Sequence, residues 1–281
     1  MKPSEVLIPV DLERRFGSLA RLYGVTGAHR IRESHIVVVG LGGVGSWIAE
    51  AAARSGVAKL TLIDFDHIAE SNVNRQVHAV SDTLGQAKVL AMRDRIAEIN
   101  PECEVSCVEE FVDVTNWPAV AALGNSFEFG QLAVIDACDQ VRAKVAMATW
   151  AIAQKVIFLS VGAAGGKRLA HRVDIEDISQ VTHDPLLAQL RYRLRKEHGA
   201  TRQGKMGVAC VFSREPVLQP ADLNSTSDVS NNNFEDVSKT QLDSVGQNDG
   251  SLNCHGYGSA VSVTATFGFC AAGWVFNKIA E

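Results

Sequence analysis

The chain has 281 residues, 46% of them hydrophobic and 21% charged, and its 27 Lys and Arg against 32 Asp and Glu give a formal charge of −5. That is enough apolar material for one large core or two fused lobes, and it excludes a disordered polyelectrolyte or a scaffold held together by disulfides. The acidic balance gives no overall argument for nucleic acid, and DNA is not an expected partner. The six cysteines form no CxxC pair, and MKPSEVLIPVDLERRFG lacks the apolar centre of a signal peptide, so a cytoplasmic location with reduced thiols is expected.

Residues 12–32 read as helical and carry Arg14, Arg15, Arg21 and Arg30. HIVVVG predicts a buried strand at about 35–40. It runs into Gly40, Gly42, Gly43 and Gly45, a helix from 44, and a second apolar strand at 58–64 that leads to Asp64 and Asp66. This order suits a nucleotide: glycines let the backbone approach a phosphate, and a helix amino terminus offers free N–H groups. A helix at about 84–99, a strand in ECEVSCVEEF, a fourth apolar run in QLAVIDACD, a helix at about 140–153 and a strand in KVIFLSVG continue the alternation. Cys103 and Cys107 share one strand face and read as structural thiols. Such alternation predicts a mainly parallel sheet with helices on both faces.

Beyond residue 160 the alternation weakens. Gly162, Gly165 and Gly166, followed by Lys167 and Arg168, form either a substrate-proximal turn or a structural crossover into an outer strand. HDPLLAQLRYRLRKEHG predicts a helix and KMGVACVFS a further strand. Between Arg191 and Lys205, Arg191, Arg193, Arg195, Lys196, Arg202 and Lys205 stand against the single acid Glu197; this run either meets a polyanion or is a solvated helix and loop. Residues 221–253, rich in Ser, Asn and Asp, predict a flexible loop. The stretch 259–276 has no formal charge, but its Ser, Thr and Gly content favours a buried or subunit-facing helix over a transmembrane span.

Which nucleotide binds depends on the charged residues that follow the glycines. Asp64 or Asp66 can accept hydrogen bonds from ribose hydroxyls, which suits NAD as well as ATP. SNVNRQ brings Asn72, Asn74, Arg75 and Gln76 together, and GQAK places Lys88 near a helix start; Arg75 offers directional contacts to phosphate and Lys88 a mobile point charge. Asp136 and Asp139 stand at the end of the fourth strand. Asp136 is the candidate ligand for a nucleotide-bound Mg2+, with pairing to a nearby base as the alternative. Hydride transfer needs no such set, whereas attack on an α-phosphate builds negative charge and expels pyrophosphate. Trp47 reads as core packing.

Together, GLGGVGS, LIDFD, SNVNRQ, GQAK and DACD resemble the adenylating domain of ubiquitin-activating-type enzymes, including the thiamine and molybdopterin sulfur-carrier activators, over roughly residues 14–160. The resemblance implies ATP and Mg2+ as cofactors. It puts Asn72, Arg75, Lys88 and Asp136 at catalytic and nucleotide-contact positions, and Asp64 and Asp66 at the ribose-facing strand end. Sulfur-carrier activators usually carry two CxxC zinc pairs, which are absent here. ERRFGSLARLYG, GAAGGK, DPLLAQLRYRLRK, GKMGVACVFSREP and CHGYGSAVSVTATFGF are similar instead to the bacterial tRNA threonylcarbamoyladenosine dehydratases, over nearly the whole chain, with 221–253 the weakest part.

That second resemblance implies ATP-dependent cyclisation of threonylcarbamoyladenosine at position 37 of tRNA through an acyl adenylate, with AMP and pyrophosphate as products. It also implies a homodimer and leaves room for a sulfur-transfer protein partner. Related enzymes often send an arginine from one subunit into the other's ATP site; here Ser18 falls at that position, so Arg15 or Arg21 either substitutes for it or lies at a surface or interface. Cys254 beside His255 invites a covalent route, but ring closure needs none and the thiol reads as structural. The expected fold class is α/β: a Rossmann-like, mainly parallel sheet with flanking helices and a mixed carboxyl-terminal extension. The expected organisation is an ATP-binding adenylating region at 1–160 and a substrate-binding and dimerisation region at 161–281.

Overall fold

A computed structural model describes residues 10–123, 131–218 and 257–281. The loop expected at 221–253, and Cys254 with His255, lie outside the described residues. The helix expected at 12–32 is divided into α1 (Leu12–Phe16) and α2 (Leu19–Glu33), and α2 kinks at Gly24, whose φ of +72° a glycine adopts at little cost. There follow β1 (His35–Val39), α3 (Gly45–Arg54), β2 (Lys59–Ile63), α4 (Lys88–Ile99), β3 (Glu104–Val108), β4 (Leu132–Asp136), α5 (Val141–Gln154), β5 (Ile157–Val161), β6 (Val173–Asp177), α6 (Pro185–Glu197), β7 (Ala209–Ser213) and α7 (Val261–Ala280).

The strands form one seven-stranded sheet in the order β3-β2-β1-β4-β5-β7-β6. All neighbours are parallel except β6, which runs antiparallel to β7 at the edge. Residues 36–39 of β1 and 132–135 of β4 are apolar because both faces are covered there. Alternation along β1 sends Ile36 and Val38 to the core formed with α3 and α7, and Val37 and Val39 to the core formed with α5 and α6. The edge strand β6 keeps charge on its rim, where Asp174 and Glu176 pair with Arg214. Such charges discourage edge-to-edge association.

The boundary expected at residue 160 falls inside β5, and the carboxyl-terminal region extends the same sheet with β6 and β7. α7 then returns to pack against α3 and α2. Val263, Phe267, Ala271, Val275 and Ile279 are buried within this one chain, while Val261 and Phe269 on the same helix are 43% and 49% exposed. Gly268 permits the close crossing: a Cβ there would lie 2.7 Å from Trp47 Cβ and 2.9 Å from the Val44 carbonyl oxygen. Among the described residues no helix is long and apolar enough to cross a membrane. Chain order reverses between β1 and β4, and the carboxyl ends of these strands open the crevice where such sheets bind ligands.

Candidate nucleotide and carboxylate-activation site

The glycines of the turn after β1 have different duties. Gly40 has φ +88° and a Cβ there would lie 2.9 Å from the Ala137 carbonyl, while a Cβ on Gly45 would fall 1.7 Å from the Gly40 oxygen. Backbone crowding alone therefore demands both. A side chain on Gly42 would meet no protein atom within 4 Å, so this position leaves the turn open. At Gly43 a Cβ would sit 3.2 Å from Cγ and Cδ of Arg75, because the arginine stem lies along the turn.

Asp64 and Lys88 tie that turn to the neighbouring strand. The Leu41 N–H donates to Asp64 Oδ2 at 2.5 Å and the Asp66 N–H to Oδ1 at 2.8 Å. Lys88, at the first position of α4, is buried; its Nζ lies 2.6 Å from Asp66 Oδ2 and 3.8 Å from Asp64 Oδ1. Burial raises the Asp64 carboxyl above its ordinary value, opposed by the Lys88 charge and the two backbone donors. Of the two acids, Asp64 is committed to holding the turn, whereas Asp66 is exposed.

The polar segment before α4 places Arg75 over the turn. Its Nη1 donates to the Ser71 carbonyl at 2.6 Å and to Asn74 Oδ1 at 3.0 Å, and its own carbonyl accepts from Trp47 Nε1 at 2.9 Å. Trp47 also meets Phe269 edge to face at 5.6 Å between ring centroids, so it links the Arg75 segment to α7 rather than merely filling core. Asn72 caps its own turn by accepting the Ala69 N–H. Just beyond, His78 is buried with neither ring nitrogen partnered among the described residues, and burial lowers its pKa to about 4.

Asp136 does not fit the metal role expected of it in this conformation. It is fully buried, and its Oδ2 accepts from Lys144 Nζ at 3.0 Å and from Ser160 Oγ at 2.7 Å. Oδ1 faces the Cys138 thiol and N–H. Lys144 also donates to the Val161 carbonyl at 2.7 Å; burial opposes its charge, but Asp136 holds its pKa above the ordinary lysine value. The pair joins the ends of β4 and β5 beneath the crevice. Asp139, three residues on, is exposed at the same strand end.

The glycines, Asp64, Asp66, Asn72, Arg75, Lys88 and Asp136 thus gather at the carboxyl edge of β1, β2 and β4. Arg15 does not join them, since its Nη1 donates to the Ile99 carbonyl at 2.6 Å, at the end of α4 that leads into the amino end of β3. Arg21 is exposed on α2. The GAAGGK segment is a structural crossover: a Cβ on Gly162 would fall 2.1 Å from Asp184 Oδ2, and buried Lys167 donates to the carbonyls of His183 and Glu215. Cys103 and Cys107 pack partly buried beside one core, and burial pushes the Cys103 thiol up to about 12. Sequence reasoning missed Lys144, although it is the one charged residue among the apolar positions Val141, Val145, Ala148 and Ala151 of the inward stripe of α5.

A glycine-turned, mainly parallel sheet whose crevice is ringed by Arg75, Lys88 and carboxylates is a nucleotide-binding α/β architecture suited to handling phosphate charge. A sequence model of the ThiF family matches residues 16–210. The chain belongs to the ThiF family and, within it, groups with the tRNA threonylcarbamoyladenosine dehydratases. It is 38% identical to that dehydratase of Escherichia coli over 98% of this chain and 96% of the relative, and 36% identical to that of Haemophilus influenzae over 96% and 94%. The E. coli dehydratase solved with ATP superposes with a TM-score of 0.77 at 37% identity, covering 97% of each chain. The same enzyme solved with AMP gives a TM-score of 0.76 at 36% identity with equal coverage.

Proposed function

We propose that this chain is an ATP-dependent tRNA threonylcarbamoyladenosine dehydratase. The observation that carries the reading is the extent of the likeness, which runs through β6, α6, β7 and α7 as well as the nucleotide-binding half. The carboxylate of the threonylcarbamoyl group attacks the α-phosphate of ATP, giving an acyl adenylate and expelling pyrophosphate. A nucleophile of the carbamoyl group then attacks the acyl carbon, closes the ring and releases AMP. The net change is loss of one water, and no protein nucleophile is consumed.

In this reading the turn Gly40–Gly45 admits the phosphates, with Gly42 the open position. Arg75, whose stem lies on Gly43, turns its guanidinium from Ser71 and Asn74 towards phosphate oxygens. Lys88 leaves Asp66 for the developing charge, and Asp66 is then free for the ribose, while Asn72 shapes the turn that carries Arg75. Mg2+ bound with the nucleotide would neutralise phosphate charge. The exposed carboxylate of Asp139 suits it, because Asp136 is already bound to Lys144 and Ser160. Residues 1–160 carry the nucleotide chemistry, 161–281 shape the substrate side, and both contribute to a homodimer. Leu22 and Val25, 74% and 79% exposed on α2, provide apolar contact area for such a dimer, and Arg21 beside them is the arginine able to cross it.

The test is incubation with ATP, Mg2+ and tRNA bearing threonylcarbamoyladenosine, followed by nucleoside mass analysis. Loss of one water with stoichiometric AMP is expected. An unchanged nucleoside with active ATP and bound tRNA would refute the assignment.

A further inference from the structure

We infer that the solvent face of α6 and the loop after it form the surface on which the body of the tRNA lies, an inference that rests on the dehydratase reading. α6 buries Leu186, Leu187, Leu190 and Leu194 against the sheet. Its outward residues Gln189, Tyr192, Arg193 and Lys196 recur at i, i+3, i+4 and i+7 and so make one stripe. Tyr192 is 60% exposed, with Lys196 Nζ 5.5 Å from its ring centroid. The loop is folded back on the helix, since Arg195 Nε donates to the Thr201 carbonyl at 3.2 Å, and it adds Arg202 and Lys205, both exposed.

Much of the basic surface elsewhere is neutralised by acids, although Arg21, Arg168 and Arg172 are exposed without an ion pair among the described residues. Arg32 pairs with Glu13, Arg54 and Arg95 share Glu50, Lys59 pairs with Glu104, Arg93 with Asp94 and Arg214 with Asp174 and Glu176. Along the stripe the ion pair present among the described residues is Arg193 with Glu197, at 3.9 Å. A row in which Lys196, Arg202 and Lys205 lack an acidic partner among the described residues and Arg193 has one only at 3.9 Å, with an exposed aromatic beside it, suits a phosphate backbone with unpaired bases alongside.

Position supports the same occupant. α6 is capped by Asp184, whose Oδ2 accepts the Ala163 N–H at the carboxyl end of β5, two strands from β1 across β4. It then runs towards the amino edge for 13 residues, about 20 Å at 1.5 Å per residue. An RNA whose reacting base enters the crevice can therefore lay its adjoining stem along the stripe.

The test is tRNA binding at several salt concentrations for the full chain and for the triple variant Arg193→Ala, Lys196→Ala, Arg202→Ala. Each lost phosphate contact lowers the slope of log affinity against log salt by about 0.7–0.9. The expected result is a slope smaller by about 2, at least a tenfold rise in KM for modified tRNA, and unchanged ATP affinity and Tm. A control with Lys59→Ala and Arg93→Ala should keep the wild-type slope. If the folded triple variant keeps the wild-type slope and KM, the surface assignment is wrong while the dehydratase reading stands. If the control loses as much slope as the triple variant, binding is diffuse and the assignment is again wrong. Absence of dehydration by the unaltered chain strikes instead at the dehydratase reading.

Discussion

Lys144 is the residue whose replacement tests the architecture of the crevice most directly. Lys144→Met leaves the hydrocarbon stem but removes the ammonium that meets Asp136 at 3.0 Å, Ser160 at 3.3 Å and the Val161 carbonyl at 2.7 Å. Both charged side chains are 0% exposed, so water cannot take over the lost contacts. Breaking a buried pair from one side costs about 3–5 kcal/mol, because the partner's charge is stranded. At about 2–4 °C per kcal/mol for a chain of this size, Tm should fall by roughly 10 °C. Asp136→Asn should cost a comparable amount, and the double variant Asp136→Leu, Lys144→Met should recover part of it, since no charge is then left buried. The assay is thermal and urea unfolding of the four proteins beside titration of turnover with Mg2+. Near wild-type stability for Asp136→Asn, together with a greatly raised Mg2+ requirement, would show that Asp136 serves the metal and is not held by Lys144.

Asp139→Ala should raise the Mg2+ needed for half-maximal turnover while leaving Tm unchanged; an unaltered Mg2+ titration would remove Asp139 from the metal's reach. Gly42→Ala should fold normally and lose nucleotide affinity, whereas Gly45→Ala should lose stability, because its Cβ would fall 1.7 Å from the Gly40 oxygen; equal Tm losses for the two would contradict this division. Arg75→Ala should lower turnover by about 10²-fold or more with little change in Tm, as expected of a donor aimed at developing charge. His78 titrates at about 4 when folded against 6.5 as a free side chain, so the unfolded state binds the extra proton first. Its contribution is intact above pH 6.5 and is lost as pH falls towards 4, by on the order of 3 kcal/mol. His78→Leu should flatten that part of the stability profile relative to the unaltered chain, and parallel profiles would refute the assignment.

Local sequence determined the elements. Apolar runs of five residues flanked by glycines and acids specify strands covered on both faces, and β1, β2, β4 and β5 lie where those runs predict. The glycine turn, Arg75 and Lys88 were readable too, since residues close in sequence already place them around one strand end. The kink at Gly24 was less visible, because a glycine within a helical pattern is often tolerated without one.

What only the tertiary structure decided are relations between segments far apart in the chain. For Asp136 the sequence leaves metal binding and pairing with a base both open, because the partners it has, Lys144 and Ser160, come from the next helix and the next strand. Asp64 and Asp66 looked alike until the fold gave one to the Leu41 N–H and left the other exposed. Composition favours a core or subunit-facing helix for the apolar segment of α7; only its return across α3 at Gly268 shows which face the chain's own core takes. Hydrophobic period and turn chemistry act over a few residues, so they are legible along the chain. Whether a buried charge is spent on the scaffold or left for a ligand depends on which distant side chain the packing brings within about 3 Å, and that distance exists only in the folded molecule.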